Sequence, residues 1–167
     1  MLAGLLPYQG QIYLHDQTEL KQAVVRHRQL VNYSEAEPLY PAFLTGQELL
    51  DLVVAAKKPT PAQFNQLIEC LQVSPFLSKP IGSYSSGMLK KLSLLFAFLG
   101  KPALIILDEP LITLDALAVD AVNQLILEYH QAQQVSFLLS SHQDFITHGV
   151  PITATLLLEN YTLRFVP

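Results

Sequence analysis

The chain has 167 residues, half of them hydrophobic and 14% charged, and its formal net charge is −4 at pH 7. This length suffices for one domain with a sizeable core, and the composition is typical of a compact globular protein with little disorder. The negative balance gives no support for a nucleic-acid-binding surface. The single cysteine, Cys70, excludes an intrachain disulfide framework and fits a reducing compartment.

Neither a targeting signal nor a membrane-spanning segment is evident in the sequence. No apolar run approaches the roughly 20 residues that a bilayer requires. The N-terminus lacks the basic region that opens a secretion signal. We therefore expect a cytosolic protein, which could still dock on a membrane partner.

Residues 1–72 are predicted to form short strands followed by helices. An apolar helical turn opens the chain and is interrupted by Pro7 and Gly10, while residues 11–14 and 30–33 alternate as strands do. Thr45 followed by Glu48 is a capping box, so a helix should begin there. Thr60 followed by Pro61 repeats the start signal and predicts a second helix.

The segment 83–102 is predicted to be a long apolar helix that begins at YSSGM. Ser85 is a natural N-cap, and Gly87 lets another group come close to the backbone. A helix N-terminus with hydroxyls and free N–H groups can receive an anion such as phosphate. Taken alone, however, a Ser/Gly helix start is usually only a cap.

The stretch LIILDEPLITLD (104–115) predicts a strand that is buried on both faces of a parallel sheet and ends in an acid pair. In open α/β folds, ligands bind at the carboxyl ends of the strands. Asp108 could hold Mg²⁺ there, and Glu109 could orient or deprotonate a water. A core strand tipped by two solvated acids is the alternative. Asp115 is expected to cap the helix that follows.

The segment VSFLLSSH (135–142) predicts another buried strand, which ends in two hydroxyls and His142. A lone histidine at a strand end is more often structural than catalytic. Residues 152–166 are rich in β-formers on both sides of Glu159 and Asn160, which favours a hairpin.

Taken together, these segments resemble the nucleotide-binding subunit of an ABC transporter. YSSGM (84–88) is similar to the signature motif, LIILDEP (104–110) to Walker B with its glutamate, ITLD (112–115) to the D-loop, and LLSSH (138–142) to the switch-histidine segment. Residues 31–50 are similar to the Q-loop region. Several such motifs in the right order make the resemblance specific.

The resemblance implies an α/β fold: a P-loop NTPase-like parallel sheet with a helical signature subdomain at roughly 42–100, in a single domain 1–167. It implies ATP and Mg²⁺ as cofactors, with Asp108 on the metal through water, Glu109 as general base and His142 on the γ-phosphate. Across a dimer of such domains, Ser85, Ser86 and Gly87 would contact the partner's nucleotide, and Asp115 would couple the two sites. The resemblance also implies an exporter-type transporter, with a second nucleotide-binding domain and a transmembrane subunit as partners. It places this chain in the cytoplasm, at the inner face of the membrane.

The sequence also departs from the family pattern. It contains no G-x-x-x-x-G-K-S/T phosphate-binding loop, and it begins within what resembles the helix after that loop, so we expect an N-terminally truncated domain. Ala36 stands where the Q-loop glutamine belongs, and Ser86 replaces the first signature glycine. We therefore expect very weak Mg-ATP binding and no activity by the chain alone. An exposed sheet edge and apolar surface should favour oligomerisation, strand rearrangement or poor solubility.

Three hypotheses follow from this pattern. The chain is part of a working ABC ATPase, because Asp108, Glu109, Asp115 and His142 all persist. Alternatively, it is a non-catalytic partner subunit that lends its signature helix to an intact domain. The third hypothesis is a scaffold or binding module with no nucleotide role.

Overall fold

The computed structural model of the chain describes residues 2–5, 7–13, 19–141 and 150–166. The helices are α1 (Val24–Leu30), α2 (Gly46–Lys57), α3 (Pro61–Cys70), α4 (Ser86–Phe98) and α5 (Ala116–Gln133). The strands are β1 (Val31–Ser34), β2 (Leu104–Asp108), β3 (Ser136–Ser140), β4 (Thr155–Glu159) and β5 (Thr162–Val166). Two 3-10 turns, Ser74–Phe76 and Ile81–Ser83, lie between α3 and α4.

A three-stranded parallel sheet in the order β1-β2-β3 is the centre of the fold. Ser34 pairs with Leu107, and Asp108 pairs with Ser140, so the carboxyl ends of the strands meet at one edge. This confirms the α/β class and the parallel sheet that the apolar runs predicted. It also places the end of β2, with its acid pair, at the edge where α/β folds bind ligands.

The helices cover one face of the sheet among the described residues. Ile105 and Leu107 are fully buried in a core shared with side chains of α4 and α5, whereas Leu104 and Ile106, on the opposite face, are only half-buried. The prediction that β2 is buried on both faces is therefore wrong. On that opposite face Ile106 lies between Tyr33 and Leu138, and Leu138 remains 36% exposed.

The helices begin where their caps predicted. Thr45 forms the full capping box with Glu48, and the hydroxyl of Thr60 accepts from the N–H of Gln63 next to Pro61 at the first turn. Asp115 caps α5, whose 18 residues make it the longest helix described. Among the described residues, no helix combines the length and the apolar character needed to cross a membrane.

The N-terminal segment differs from its prediction. Residues 2–4 form a turn rather than a helix, and the described part of 11–14 contributes only an isolated bridge between Tyr13 and Glu19. The sequence pattern did not predict α1, which lacks a side-chain N-cap and buries only His27. The Nε2 of His27 lies 2.6 Å from the carbonyl oxygen of Leu2, so a tertiary contact holds this helix.

The C-terminal segment forms the expected antiparallel hairpin, with Asn160 and Tyr161 in the left-handed region at its turn. Leu156 faces Phe165, and Leu158 faces Leu163. Every residue of both strands is exposed. An isolated two-stranded hairpin is only marginally stable in water, and packing its exposed apolar residues against another surface would stabilise it. This agrees with the expected tendency to oligomerise, which stays a prediction.

Candidate functional site

The acid pair lies at the carboxyl edge of the sheet, as predicted. Asp108 is half-buried at the end of β2. Glu109 has a left-handed backbone (φ +43°), and its N–H donates to the carbonyl oxygen of Ser140 at 3.0 Å. This bond ties the residue after β2 to the end of β3. Both carboxylates are therefore held at the edge where the parallel strands end.

Hydroxyl groups from the neighbouring strands surround the two acids. The Ser140 hydroxyl donates to Oδ1 of Asp108, and the Ser141 hydroxyl lies 3.4 Å from Oε2 of Glu109. Burial, the charges of Asp108 and Glu35, and a hydrogen bond to Asp108 raise the pKa of Tyr33. The sequence pattern indicated the hydroxyls of residues 140 and 141 at the end of their strand, whereas it did not indicate Tyr33. The position of Tyr33 near the end of β1, beside β2, was the available signal.

His142 lies outside the described residues. The described part of this segment ends at Ser141, the residue directly before His142. The predicted meeting of His142 with Asp108 and Glu109 therefore stays a prediction.

Lys90, on α4, is a buried lysine that the sequence analysis missed. Its side chain is fully buried, and its Nζ donates to the carbonyl oxygens of Glu35 (2.7 Å), Ala36 (3.3 Å) and Asp108 (2.7 Å). Burial lowers the pKa of Lys90 to about 8, while the negative charges of Asp108 and Glu109 act in the opposite direction. The signal was its position one helical turn before the buried Leu94, which places residue 90 on the inner side of α4.

The start of α4 presents the predicted signature residues. The Ser85 hydroxyl accepts from the N–H of Met88 at 3.2 Å, which confirms its role as N-cap. Ser85 and Ser86 are exposed. A Cβ added to Gly87 would lie 2.8 Å from the carbonyl oxygen of Thr113, so only glycine fits without a shift of the backbone. The hydroxyls of Ser85 and Ser86 thus belong to exposed residues at a helix N-terminus, where the first N–H groups have no partner within the helix ladder.

The residues before α5 pack against the start of α4. Asp115 accepts from the N–H of Ala118 at 2.8 Å through Oδ1 and pairs with the Lys91 ammonium at 3.0 Å through Oδ2. These contacts, led by the Ala118 N–H, lower the pKa of Asp115. Thr113 has a left-handed backbone (φ +63°) that turns its carbonyl oxygen toward Gly87. We call residues 85–88, 91, 113 and 115 the signature unit.

The described residues do not form a complete Mg-ATP site. No group of three or more His, Cys, Asp or Glu side chains that could hold a metal occurs in the described part of the chain. Asp108 and its neighbouring hydroxyls are oxygen donors of the kind that Mg²⁺ takes, but Mg²⁺ usually needs substrate phosphates as further ligands. The main-chain nest and lysine that cradle a polyphosphate have no counterpart motif in the sequence.

Comparisons with known proteins agree on one family. The family model described as ABC transporter matches residues 1–112. The cytochrome c biogenesis ATP-binding export protein CcmA of Legionella pneumophila is 31% identical over 147 residues, which cover 86% of this chain and 71% of CcmA. The uncharacterized ABC transporter ATP-binding protein YxlF of Bacillus subtilis is 34% identical over 120 residues, covering 69% of this chain and 39% of YxlF.

Solved structures agree with this assignment. A structure described as the ATP binding subunit of an ABC transporter superimposes with a TM-score of 0.74 at 29% identity, over 84% of this chain and 60% of that one. The ATP-binding cassette MJ0796, solved as a dimer bound to ADP and Pi, has a TM-score of 0.68 at 17% identity, over 84% of this chain and 66% of that one, and it supports the fold. The chain thus spans between about two fifths and seven tenths of the length of these proteins. The matched family model, the relatives and the shared fold show that the chain belongs to the ABC transporter ATP-binding family.

Proposed function

We propose that the protein containing this chain is the ATP-binding subunit of an exporter-type ABC transporter, which couples ATP hydrolysis to transport. The observation that carries the proposal is the signature unit. Its helix start is exposed and capped by Ser85, and it is joined to Asp115 through Lys91. Such a surface is ready to contact a nucleotide that a second nucleotide-binding domain holds.

The chemistry of the signature unit suits a phosphate. Free N–H groups at a helix N-terminus and the helix dipole both favour a negative charge. Ser85 and Ser86 add hydroxyl donors, and Gly87 lets the helix start lie close to Thr113. In the proposed dimer, these residues contact the γ-phosphate of the partner domain's ATP. The dimeric state of the fold neighbour MJ0796 with ADP and Pi supports this arrangement.

The acid edge, which consists of Asp108 and Glu109 at the carboxyl ends of the parallel strands, supplies the second half of the proposal. ATP and Mg²⁺, when bound, bring the phosphate oxygens and the charge that the reaction needs. On this chain, Asp108 would hold the metal through water, Glu109 would orient the attacking water, and His142 would face the γ-phosphate. None of these residues can bind the polyphosphate without a phosphate-binding loop, so we propose that the 167 residues alone bind Mg-ATP very weakly.

Two highly exposed apolar residues in one loop support docking on a transmembrane subunit. Leu39 and Phe43, in the loop between β1 and α2, are 89% and 82% exposed. Large apolar side chains at such exposure favour a protein interface. We propose that this loop contacts a membrane-embedded partner and that the subunit is cytoplasmic, at the inner face of the membrane. The name of the export protein CcmA and the YSSGM form of the signature motif support export.

The test is ATP hydrolysis by the complex that an affinity-tagged protein forms in the membranes of its own organism. We expect a membrane subunit and a second nucleotide-binding domain to co-purify, and Mg-ATP hydrolysis by this complex. Ser86→Arg should reduce hydrolysis by roughly 100-fold, because a long charged side chain blocks the helix start. Ser83→Arg is the matched control, since Ser83 is exposed but lies outside the signature helix. Full activity of Ser86→Arg would refute the proposal.

A non-catalytic partner subunit is the second candidate. It is favoured by a complete signature unit in a sequence that contains no G-x-x-x-x-G-K-S/T motif. Glu109→Gln in the same complex separates the two candidates. Loss of hydrolysis at both nucleotide sites supports a working acid edge on this chain, whereas unchanged hydrolysis supports donation of the signature helix alone.

A further inference from the structure

A polar stripe, the row of polar contacts along one side of α4, joins this signature helix to β1. The Ser93 hydroxyl lies 2.9 Å from the Ser34 hydroxyl, and both side chains are buried. One turn further along, the Asn32 side chain donates to the carbonyl oxygen of Ala97 at 2.8 Å. Lys90 is the first member of this stripe and lies nearest to the site. The helix is therefore fixed to β1 through polar groups, in addition to its apolar packing.

Lys90 brings three separate segments to one nitrogen. Its Nζ donates to the main-chain carbonyl oxygens of Glu35, Ala36 and Asp108. An ammonium group has three N–H donors, so these three carbonyls use its full capacity. Two of the acceptors follow β1, the third ends β2, and the donor belongs to the signature helix.

The segment that Lys90 holds leads directly into the helical layer formed by α2 and α3. Residues 35–45 connect β1 to α2. Tyr40 in this segment packs edge-on against Phe96 of α4, with ring centroids 5.8 Å apart. Ala36 has no polar side-chain atom, so any polar link between it and the acid edge must use its main chain. The Lys90 ammonium provides that link.

We propose that Lys90 is a positioning residue that clamps the segment after β1 to the acid edge, so that movement of the helical layer reaches Asp108 through its main chain. This rests on the proposed function for its role in hydrolysis, but the clamp itself is a property of the chain alone. A methionine at this position would fill much the same space but would donate no hydrogen bond to the carbonyl oxygens of Glu35, Ala36 and Asp108. The ammonium is therefore needed for the contact, and the side-chain bulk is not sufficient.

The clamp is tested by amide hydrogen exchange on the purified protein with Lys90→Met. We expect exchange in peptides covering residues 33–40 and at the Glu109 amide to rise by roughly 10- to 100-fold, because charge-assisted hydrogen bonds are lost. Amides in the middle of α5 serve as the internal reference for any general loss of stability.

Lys57→Met is the matched control. Lys57 is a partly buried lysine whose Nζ also bonds oxygen atoms, those of Arg28 and the Asn32 side chain, but at the opposite end of β1. We expect this variant to speed exchange near residues 28–32 and to leave Glu109 at the rate of the α5 reference. Equal effects of both variants on the Glu109 amide, or none from Lys90→Met, would overturn the clamp.

Chemical rescue tests whether the ammonium itself acts. Lys90→Ala removes the part of the side chain that n-propylammonium chloride can replace, and adding this salt should restore slow exchange at Glu109. Tetramethylammonium chloride, which has no N–H donor, should not. Rescue by both salts or by neither would contradict the proposal. If Lys90→Met does not fold, Lys90→Arg, which keeps a charged donor, is expected to fold and to keep exchange slow, and fast exchange in it would overturn the clamp.

The purified membrane complex supplies the functional readout. Lys90→Met should lower the kcat of Mg-ATP hydrolysis by roughly 10-fold or more with little change in KM, as expected when positioning is lost. If the wild-type complex does not hydrolyse ATP while the exchange results hold, the clamp stands and the proposed function fails. If hydrolysis occurs and Lys90→Met keeps the full kcat, the positioning role fails.

Discussion

The signature unit and the acid edge both belong to the proposed nucleotide sites, but the chain completes them to different degrees. The signature unit is closed by contacts within the chain, through Gly87 against Thr113 and Lys91 against Asp115. The acid edge has its carboxylates and hydroxyls, but within the described ranges it has no main-chain cradle for phosphate. A surface that contacts a ligand held elsewhere can thus be complete in one chain, whereas a surface that holds a polyphosphate needs a main-chain nest and a lysine.

The largest expected effect is a difference in the free energy of unfolding between substitutions on the two faces of β2. Ile105→Ala should reduce the free energy of unfolding by about 2–5 kcal/mol, because Ile105 is fully buried between the sheet and the helices. Ile106→Ala removes the same atoms from the opposite, half-covered face and should cost about 1 kcal/mol. Urea unfolding of both variants measures the two changes. Equal losses would show that the face of Ile106 is as well covered as that of Ile105.

The close approach of Gly87 to Thr113 can be tested as a requirement of the signature unit for ATP hydrolysis. Gly87→Ala should reduce Mg-ATP hydrolysis by the membrane complex about 100-fold, because the added Cβ displaces the start of α4 from its position beside the loop. Steady-state hydrolysis measures the change.

Gly82→Ala is the control for this effect. Its Cβ would lie 3.2 Å from both the Cβ and the carbonyl oxygen of Ala42, so it needs only a shift of a few tenths of an ångström, and Gly82 lies outside the signature unit. We expect this variant to hydrolyse ATP at close to the wild-type rate. A Gly87→Ala complex as active as the Gly82→Ala complex would mean that the close approach to Thr113 has no role in hydrolysis.

The smallest expected effect concerns the charge of Asp115. Its folded-state pKa lies below the ordinary value, chiefly through the Ala118 N–H and then Lys91, so the carboxylate stabilises the fold. That contribution is complete above the unfolded-state pKa of about 4 and is lost as the pH falls through the folded-state value. Asp115→Asn should therefore lose less stability than the wild type between neutral and acid pH in thermal unfolding. Parallel pH profiles would contradict this.

Local signals account for the parts of the fold that the sequence predicted. Thr45, Thr60, Ser85 and Asp115 each carry a hydroxyl or carboxylate that caps the next helix, and such caps depend on neighbouring residues only. The apolar run of β2 likewise predicts its own strand. The carboxyl edge followed from the rule that parallel strands end together.

The unpredicted features depend on residues that are distant in the sequence. Two carbonyl oxygens from the segment after β1 and one from the end of β2 converge on the buried Lys90, and nothing in its neighbours along the chain indicates that. Tyr33 comes close to Asp108 only because β1 lies beside β2 in the sheet. The half-covered face of Ile106 could not be read from the apolar run, because a run of this kind does not say what packs against each side.

The central claim is that this chain contributes residues to ATP sites without holding the polyphosphate by itself. Isothermal titration of Mg-ATP into the purified 167-residue chain tests it most directly. We predict no saturable binding at micromolar concentrations, because Asp108 and the nearby hydroxyls cannot replace a phosphate-binding loop. Micromolar affinity with one site per chain would contradict the claim and show that the described acid edge is a complete nucleotide site.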